Sequence, residues 1–172
     1  FSSVALPFTG EPDLCVYLKS WRTRVAANDP MLWSATKATA FIENRADRLS
    51  KEEIDALLDD AYIPRDRLDN PAAVKWFNET DAWWFDNVRF NAEKLVESPY
   101  KRALALSIGM MVGDYVLSFD EQTRHLREPL SLSRVFRRLA GTLPYPVDNA
   151  LRNQSTNQDV RVFVAERLHT DL

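Results

Sequence analysis

The 172-residue sequence contains one cysteine, Cys15, only four glycines, and no long uninterrupted apolar run. A single cysteine cannot form an internal disulfide and cannot supply a thiolate zinc site. Because proteins without disulfides are typical of reducing compartments, we expect a cytoplasmic protein. No apolar run approaches the ~18 residues that cross a bilayer, so we expect no membrane partner.

The net charge of −3 gives no general case for nucleic-acid binding, but the charge is unevenly distributed. Residues 43–69 hold nine acids against five bases, whereas residues 121–140 hold five arginines against two acids. A basic patch on a mildly acidic protein can still contact phosphates. The candidate residues are Arg124, Arg127, Arg134, Arg137 and Arg138. The last three share one helix face, because residues three and four apart are neighbours on a helix.

The first thirty residues predict a β-α-β unit. Ser3–Leu6 is a short apolar run that Pro7 ends, residues 13–21 predict a mostly buried helix, and residues 24–27 predict a second buried strand. This is the repeating unit of a parallel sheet.

Gly10 lies in the turn after the first predicted strand, and Asp29 follows the second strand, nineteen residues later. A glycine turn and an acidic residue at about this distance form the pattern that holds a ribose. Asp29 has an alternative interpretation as the cap of a helix that begins near Pro30. The residues alone leave both interpretations open.

The middle of the chain predicts helices, and the C-terminal part returns to an α/β pattern. The predicted helices cover residues 31–45, 51–58 after the capping box Ser50–Glu53, a segment capped by Thr80 or Asp81, 99–116 and 134–140. A third strand is predicted over Ala150–Asn153, a helix capped by Asp159 follows, and residues 170–172 are interpreted as the start of a fourth strand. We therefore expect an α/β domain, residues 1–30 and 147–172, with a helical insertion over residues 31–146.

Three segments, in this order and spacing, resemble the motifs of the Dam-type adenine-specific DNA methyltransferases of restriction-modification and related systems. They are Pro7–Gly10, like a Phe-x-Gly turn, Val25–Asp29, like a strand that ends in Asn-Asp, and Asn157–Val160, like a third cofactor motif. The segments 100–115 and 130–139 are also similar to the family. The resemblance implies a partial Rossmann-like sheet of the class I methyltransferase type, with a large helical insertion, that binds S-adenosylmethionine.

The resemblance also implies roles for individual residues. Phe8 and Gly10 would shape the turn near the methionine part of the cofactor, Asp29 would hold the ribose, Asp159 would meet the adenine amino group, and Val160 would lie beside the adenine ring. Thr9 and Asn28 complete the implied cofactor site. The five arginines named above would face double-stranded DNA.

The implied reaction is methyl transfer to the exocyclic amino group of an adenine that is flipped out of the duplex. The family's Asp-Pro-Pro-Tyr signature is absent from the 172 residues, so no catalytic residue is predicted. The nearest sequence, Leu143–Pro146, lacks a preceding Asp or Asn and is interpreted as a loop. Because the chain begins at Phe1 and stops at Leu172, close to predicted elements, we expect a fragment of a longer protein.

Two other functions remain open from the sequence. One is a catalytically inactive methyltransferase-like domain that binds DNA or a protein. The other is a different small-molecule Rossmann-like enzyme, because Glu11 and Pro12 stand where a second glycine is common. His125 and His169 lack metal-ligand spacing, so we expect no metal site. We interpret Cys15 and Trp83–Phe85 as core residues.

Overall fold

The structure is a computed structural model that describes residues 1–127, 130–167 and 170–171. The chain divides into two compact units, which we call unit 1, residues 1–48 with 144–172, and unit 2, Leu49–Leu143. Unit 1 is a mixed α/β unit and unit 2 is helical, so the expected α/β class with a helical insertion is confirmed at this level. Residues 31–48 belong with the sheet, whereas the sequence had placed them in the insertion.

Among the residues that the structure describes, the sheet of unit 1 has three parallel strands in the order β1-β2-β3. These strands are β1, Ser3–Leu6, β2, Arg24–Asn28, and β3, Gln154–Thr156. Both N-terminal strands are confirmed. The strand predicted at Ala150–Asn153 is wrong, because Ala150 has a left-handed backbone with φ of 59°, which interrupts any extended run there.

The helices of unit 1 are α1, Asp13–Ser20, α2, Leu32–Ala38, and α8, Val160–Glu166; α2 continues into a π-helical turn, Thr39–Glu43. Their apolar side chains meet the sheet in a small core of Cys15, Val25, Ala27, Ala38 and Ile42. The expectation that α1 is mostly buried is wrong. Leu14, Tyr17 and Trp21 are all more than half exposed, because only one face of α1 meets the sheet.

Two carboxylates bind backbone N–H groups of the outer strands. Glu43, at the end of the π-helical turn, accepts the N–H of Ser155 in β3 at 2.6 Å. Asp171 accepts the hydroxyl of Ser2 and the N–H groups of Ser2 and Ser3, the last two at 2.8 and 2.9 Å. The hydroxyl bond, together with these N–H bonds, lowers the pKa of Asp171 to about 2. Thr170 and Asp171 are not part of a strand, and Leu172 lies outside the described residues, so the predicted fourth strand is not found in the part described.

Lys19 of α1 is fully buried in unit 1, and its Nζ donates to the main-chain oxygen of Asn44 at 2.6 Å. Burial lowers the pKa of this lysine to about 8, although the charge of Asp148 partly opposes the shift. The ammonium group thus binds the chain just after the π-helical turn.

The α-helices of unit 2 are α3, Lys51–Leu58, α4, Glu79–Leu95, α5, Pro99–Leu117, α6, Arg124–Arg127, and α7, Leu132–Thr142. The capping box at Ser50 is confirmed, with both reciprocal bonds to Glu53 present. The cap predicted at Thr80 or Asp81 is wrong, because α4 begins earlier and Asn78 accepts the N–H of Asp81. A short 3-10 turn, Pro71–Lys75, was not predicted.

Aromatic side chains fill the core of unit 2. Trp84 is completely buried, and its indole N–H donates to Ser133 Oγ at 2.9 Å. Trp83 is 8 % exposed and Phe85 is half-buried against the core, so the interpretation of this segment as core is confirmed. No helix among the described residues combines the length and the apolarity that crossing a bilayer requires.

Candidate functional site

Three loops meet at the carboxyl ends of the parallel strands in unit 1. The first follows β1 and contains Gly10, the second follows β2 and contains Asp29, and the third follows β3 and contains residues 157–159. Ligands of open α/β sheets bind at this edge, where the strands end. We call this arrangement the strand-end site.

The glycine of the first loop is required by its backbone conformation. Gly10 has φ of 56°, and a Cβ added there would meet nothing within 4 Å, so conformation rather than space excludes other residues. Its N–H donates to Asp29 Oδ2 at 2.8 Å, and its carbonyl accepts the hydroxyl of Ser34 at 2.6 Å. Hydrogen bonds to both the N–H and the carbonyl of Gly10 therefore fix the turn.

Thr9 is held by the neighbouring strand. Its N–H and its hydroxyl both donate to the main-chain oxygen of Asn28, at 2.9 and 3.0 Å.

Burial raises the pKa of the Cys15 thiol to about 11, and a hydrogen bond with Thr9 offsets this only in part. The thiol is consequently protonated at neutral pH, and Cys15 is confirmed as a core residue.

Asp29 is 6 % exposed and acts within the protein as a double acceptor. Its Oδ2 accepts the N–H of Gly10, and its Oδ1 accepts the N–H of Met31 at 2.9 Å, just before α2. Burial raises the pKa of Asp29, but the hydrogen bonds from Gly10 and Met31 outweigh burial and lower it below the ordinary value. Asp29 is thus a carboxylate at neutral pH. It lies outside the helix, since the N-cap position of α2 is Met31.

Asn28 was implied as a cofactor ligand, yet all of its side-chain polar capacity is used inside the protein. The side chain is 1 % exposed, and Nδ2 donates to the carbonyls of Pro7 and Gln158 at 3.1 and 3.2 Å. Oδ1 accepts the N–H of Gln158 at 3.0 Å and the hydroxyl of Thr156 at 2.8 Å. An amide has two donors and two good acceptor positions, so no polar atom of Asn28 remains for a ligand.

The remaining implied residues lie at the rim of the strand-end site. Phe8 is 63 % exposed, Asp159 is exposed, and Val160 is half-buried at the first position of α8. Asp159 caps α8 by accepting the N–H of Arg161 at 2.8 Å, as the sequence predicted. Asn157 joins the third loop to the second, because its Nδ2 donates to the main-chain oxygen of Asp29 at 2.7 Å.

Neither the role of Ser34 nor the ion pair between Lys37 and Glu11 is predicted from the sequence. Ser34 is completely buried, and Lys37 Nζ lies 2.6 Å from Glu11 Oε1. A helical serine whose partner is a backbone carbonyl 24 residues away leaves no local signal. The lysine and glutamate are similarly far apart, so only the fold brings them together.

The five candidate arginines of unit 2 fall into two groups. Arg127 forms a 2.5 Å ion pair with Asp81, and both side chains are largely buried; Arg137 forms an ion pair with Asp55 at the surface. These two arginines are engaged inside the protein, which the sequence did not predict. The side chains of the other three are exposed, and within the described ranges they make no hydrogen bond or ion pair: Arg124, Arg134 and Arg138.

A cavity of about 720 Å³ in unit 2 lies between the loop before the 3-10 turn and the start of α4. Trp83 and Val74 line it together with the carboxylates of Asp69 and Glu79 and the guanidinium of Arg67. Charged side chains of both signs therefore line this cavity. Across residues 1–127, 130–167 and 170–171, no group of three or more metal-ligating side chains is positioned to hold a metal ion, and His169 lies outside these ranges.

Comparison of the chain with protein-family models, curated proteins and solved structures finds no match.

Proposed function

We propose that the chain carries the cofactor-binding part of an S-adenosylmethionine-dependent DNA adenine methyltransferase with a Rossmann-like sheet. One observation supports this most strongly. The three loops that carry the three motifs are joined by hydrogen bonds at the carboxyl ends of parallel strands, through Gly10 to Asp29 and Asp29 to Asn157. Nucleotide-like ligands bind at this edge of α/β sheets.

The groups at the strand-end site fit a ligand that carries an adenosine. Asp29 is ionised, and each of its oxygens, with one N–H bound, retains a second lone pair for a sugar hydroxyl. Exposed Phe8 would lie near the methionine part of the cofactor, and exposed Asp159, in the third loop, would contact its adenine. When bound, S-adenosylmethionine would supply an electrophilic methyl group, and this chain's residues would hold and orient it.

Exposed arginines of unit 2 would contact the DNA backbone. Arg134 and Arg138 are four residues apart on α7 and lie on one helix face. Their side chains are exposed, whereas ion pairs engage Arg127 and Arg137. We therefore assign phosphate contacts to Arg124, Arg134 and Arg138.

Calorimetry with S-adenosylmethionine tests cofactor binding. Asp29→Asn removes the charge and one of the two acceptors, so it should weaken binding about tenfold or more, which is the loss of one charged hydrogen bond. The matched control is Asp148→Asn, an exposed acid before β3 whose oxygen accepts the N–H of Ala150, a bond that the amide can retain. A folded parent protein that binds no S-adenosylmethionine would overturn the proposal.

The salt dependence of DNA binding tests the arginine assignment. Replacing both Arg134 and Arg138 by glutamine should lower the slope of log K against log salt by about 1.8, since each phosphate contact contributes about 0.9. Arg152→Gln is the control, because it removes an exposed positive charge from unit 1. An unchanged slope in the double variant rules out the assignment.

A DNA-binding domain without methyl transfer is the second candidate. It is favoured because both oxygens of Asp29 already accept backbone N–H groups and the side chain is only 6 % exposed. DNA binding that depends on Arg134 and Arg138, in a protein with no calorimetric response to S-adenosylmethionine, would favour this candidate over the first.

A further inference from the structure

Asn28 lies at the centre of the strand-end site without facing solvent. Its buried amide makes four hydrogen bonds, to Pro7 in the first loop, to Thr156 at the end of β3, and twice to Gln158 in the third loop. Its main-chain oxygen also accepts both bonds from Thr9. One residue therefore binds the loops on both sides of its strand.

The Asn28 side chain links these two loops at one point. In the part of the chain that the structure describes, no hydrogen bond joins residues 7–12 directly to residues 157–160. The carbonyls of Pro7 and Gln158 both accept from Asn28 Nδ2. A second link runs through Asp29, which accepts the N–H of Gly10 and the side-chain N–H of Asn157, so the two loops are joined through the two residues at the end of β2.

The chemistry of the surroundings selects an amide of this length. Two carbonyl oxygens face Nδ2, and one N–H and one hydroxyl face Oδ1, so the side chain must be a double donor on one side and an acceptor on the other. A carboxylate would place an oxygen against two carbonyls. An apolar side chain would leave the carbonyls of Pro7 and Gln158 and the N–H of Gln158 without these hydrogen bonds, which is costly.

We propose that Asn28 is a positioning residue that couples the loop after β1 to the loop after β3 and thereby sets the separation of Phe8 and Asp159 across the ligand site. It acts through the backbones of these loops and touches no ligand itself. The ligand part of this inference rests on the proposed function, whereas the coupling of the loops does not.

Hydrogen exchange measured at the amides of residues 8–11 and 157–160 tests the coupling. Asn28→Ala should raise exchange in both loops about tenfold or more, because one set of buried bonds holds both. The matched control is Asn153→Ala. Asn153 is 7 % exposed, accepts the N–H of Val25 at 2.9 Å, and lies at the opposite end of β3. It should lower global stability without raising exchange in the two loops.

Asn28→Asp distinguishes the contribution of the acceptor Oδ1 from that of the donor Nδ2. It keeps acceptors for the Gln158 N–H and the Thr156 hydroxyl but places an oxygen against the carbonyls of Pro7 and Gln158. Relative to the parent at the same pH, the first loop should therefore lose protection from exchange at pH 7 and regain part of it in acid, where the protonated carboxyl can donate again. A residue that only stabilised the fold would change the protection of both loops and of the rest of unit 1 to the same extent at each pH.

Calorimetry of the same variants with S-adenosylmethionine completes the test. Asn28→Ala should weaken binding about tenfold or more, and Asn153→Ala should leave it within about twofold. A parent that does not bind overturns the proposed function, while the exchange measurements still decide the coupling. Faster exchange in only one loop of Asn28→Ala, or equal changes in Asn28→Ala and Asn153→Ala, overturns the positioning role.

Discussion

Replacement of Asp29 separates its role in the fold from any role in ligand binding. Asp29→Asn leaves a single acceptor oxygen for two backbone donors, those of Gly10 and Met31, and removes the negative charge. Asp29→Ala removes both acceptors. A hydrogen bond to a charged group contributes about 1.5–3 kcal/mol net, and water reaches part of Met31. We therefore expect the free energy of unfolding to fall by about 1–2 kcal/mol in Asp29→Asn and by about 2–4 kcal/mol in Asp29→Ala.

The dependence on pH provides an independent check. The folded-state pKa of Asp29 lies below the ordinary value of 3.8, so the unfolded chain takes up the proton first as the pH falls. The stability that the carboxylate provides is complete well above pH 3.8 and is lost as the pH falls through the folded-state pKa. The difference in the free energy of unfolding between the parent and Asp29→Asn should therefore become smaller in acid.

Urea unfolding followed by tryptophan fluorescence, at pH 7 and at about pH 3, measures both effects. The control is Asp159→Asn, because Asp159 is exposed and asparagine is an equally good N-cap, so its cost should stay below about 0.5 kcal/mol. Equal losses at Asp29 and Asp159, or a difference between parent and Asp29→Asn that is constant with pH, would refute the reasoning.

Three further predictions follow from burial and backbone conformation. Arg127→Met leaves the buried carboxylate of Asp81 without its ion pair and should cost about 3–5 kcal/mol. Arg137→Met breaks a half-exposed ion pair and should cost less than about 1 kcal/mol. Urea titrations in which Arg137→Met costs more than Arg127→Met would contradict this prediction. Because the pKa of Lys19 is about 8, below its ordinary 10.5, stability should rise between these pH values with a slope of up to about 1.4 kcal/mol per pH unit. Lys19→Met should abolish that slope. If the dependence of stability on pH is the same in the variant, the lowered pKa of Lys19 is contradicted. Gly109→Ala within α5 should stabilise by about 1 kcal/mol, because an added Cβ meets nothing within 4 Å; a lower Tm would contradict this.

Features that depend on near neighbours in the chain were predictable. The capping box at Ser50 needs only a serine and a glutamate three residues apart, and the structure contains both of its bonds. The strands β1 and β2 follow from short apolar runs bounded by a proline and by polar residues. The cap at Asp159 is local in the same sense. In each case the partner lies within a few residues, so the pattern and the structure coincide.

Features that depend on the path of the backbone could not be predicted from the sequence. The strand predicted at Ala150–Asn153 contains apolar residues, but Ala150 has a left-handed backbone and the N–H of Asn153 turns back to the carbonyl of Leu151, so the strand begins only at Gln154. The pattern of α1 is apolar, yet its exposure depends on which face meets the sheet, so Trp21 is 71 % exposed.

By itself, the sequence determined the β-α-β start, the helical middle and the residues available at the strand ends, because these follow from local propensity and periodicity. Only the tertiary structure decided how those residues are used. It joined Asn28 to Gln158 across 130 residues and Arg127 to Asp81 across 46. Charge and hydrogen-bonding capacity are properties of a side chain, but whether they face a ligand or are used within the fold depends on partners that only folding brings within about 3 Å.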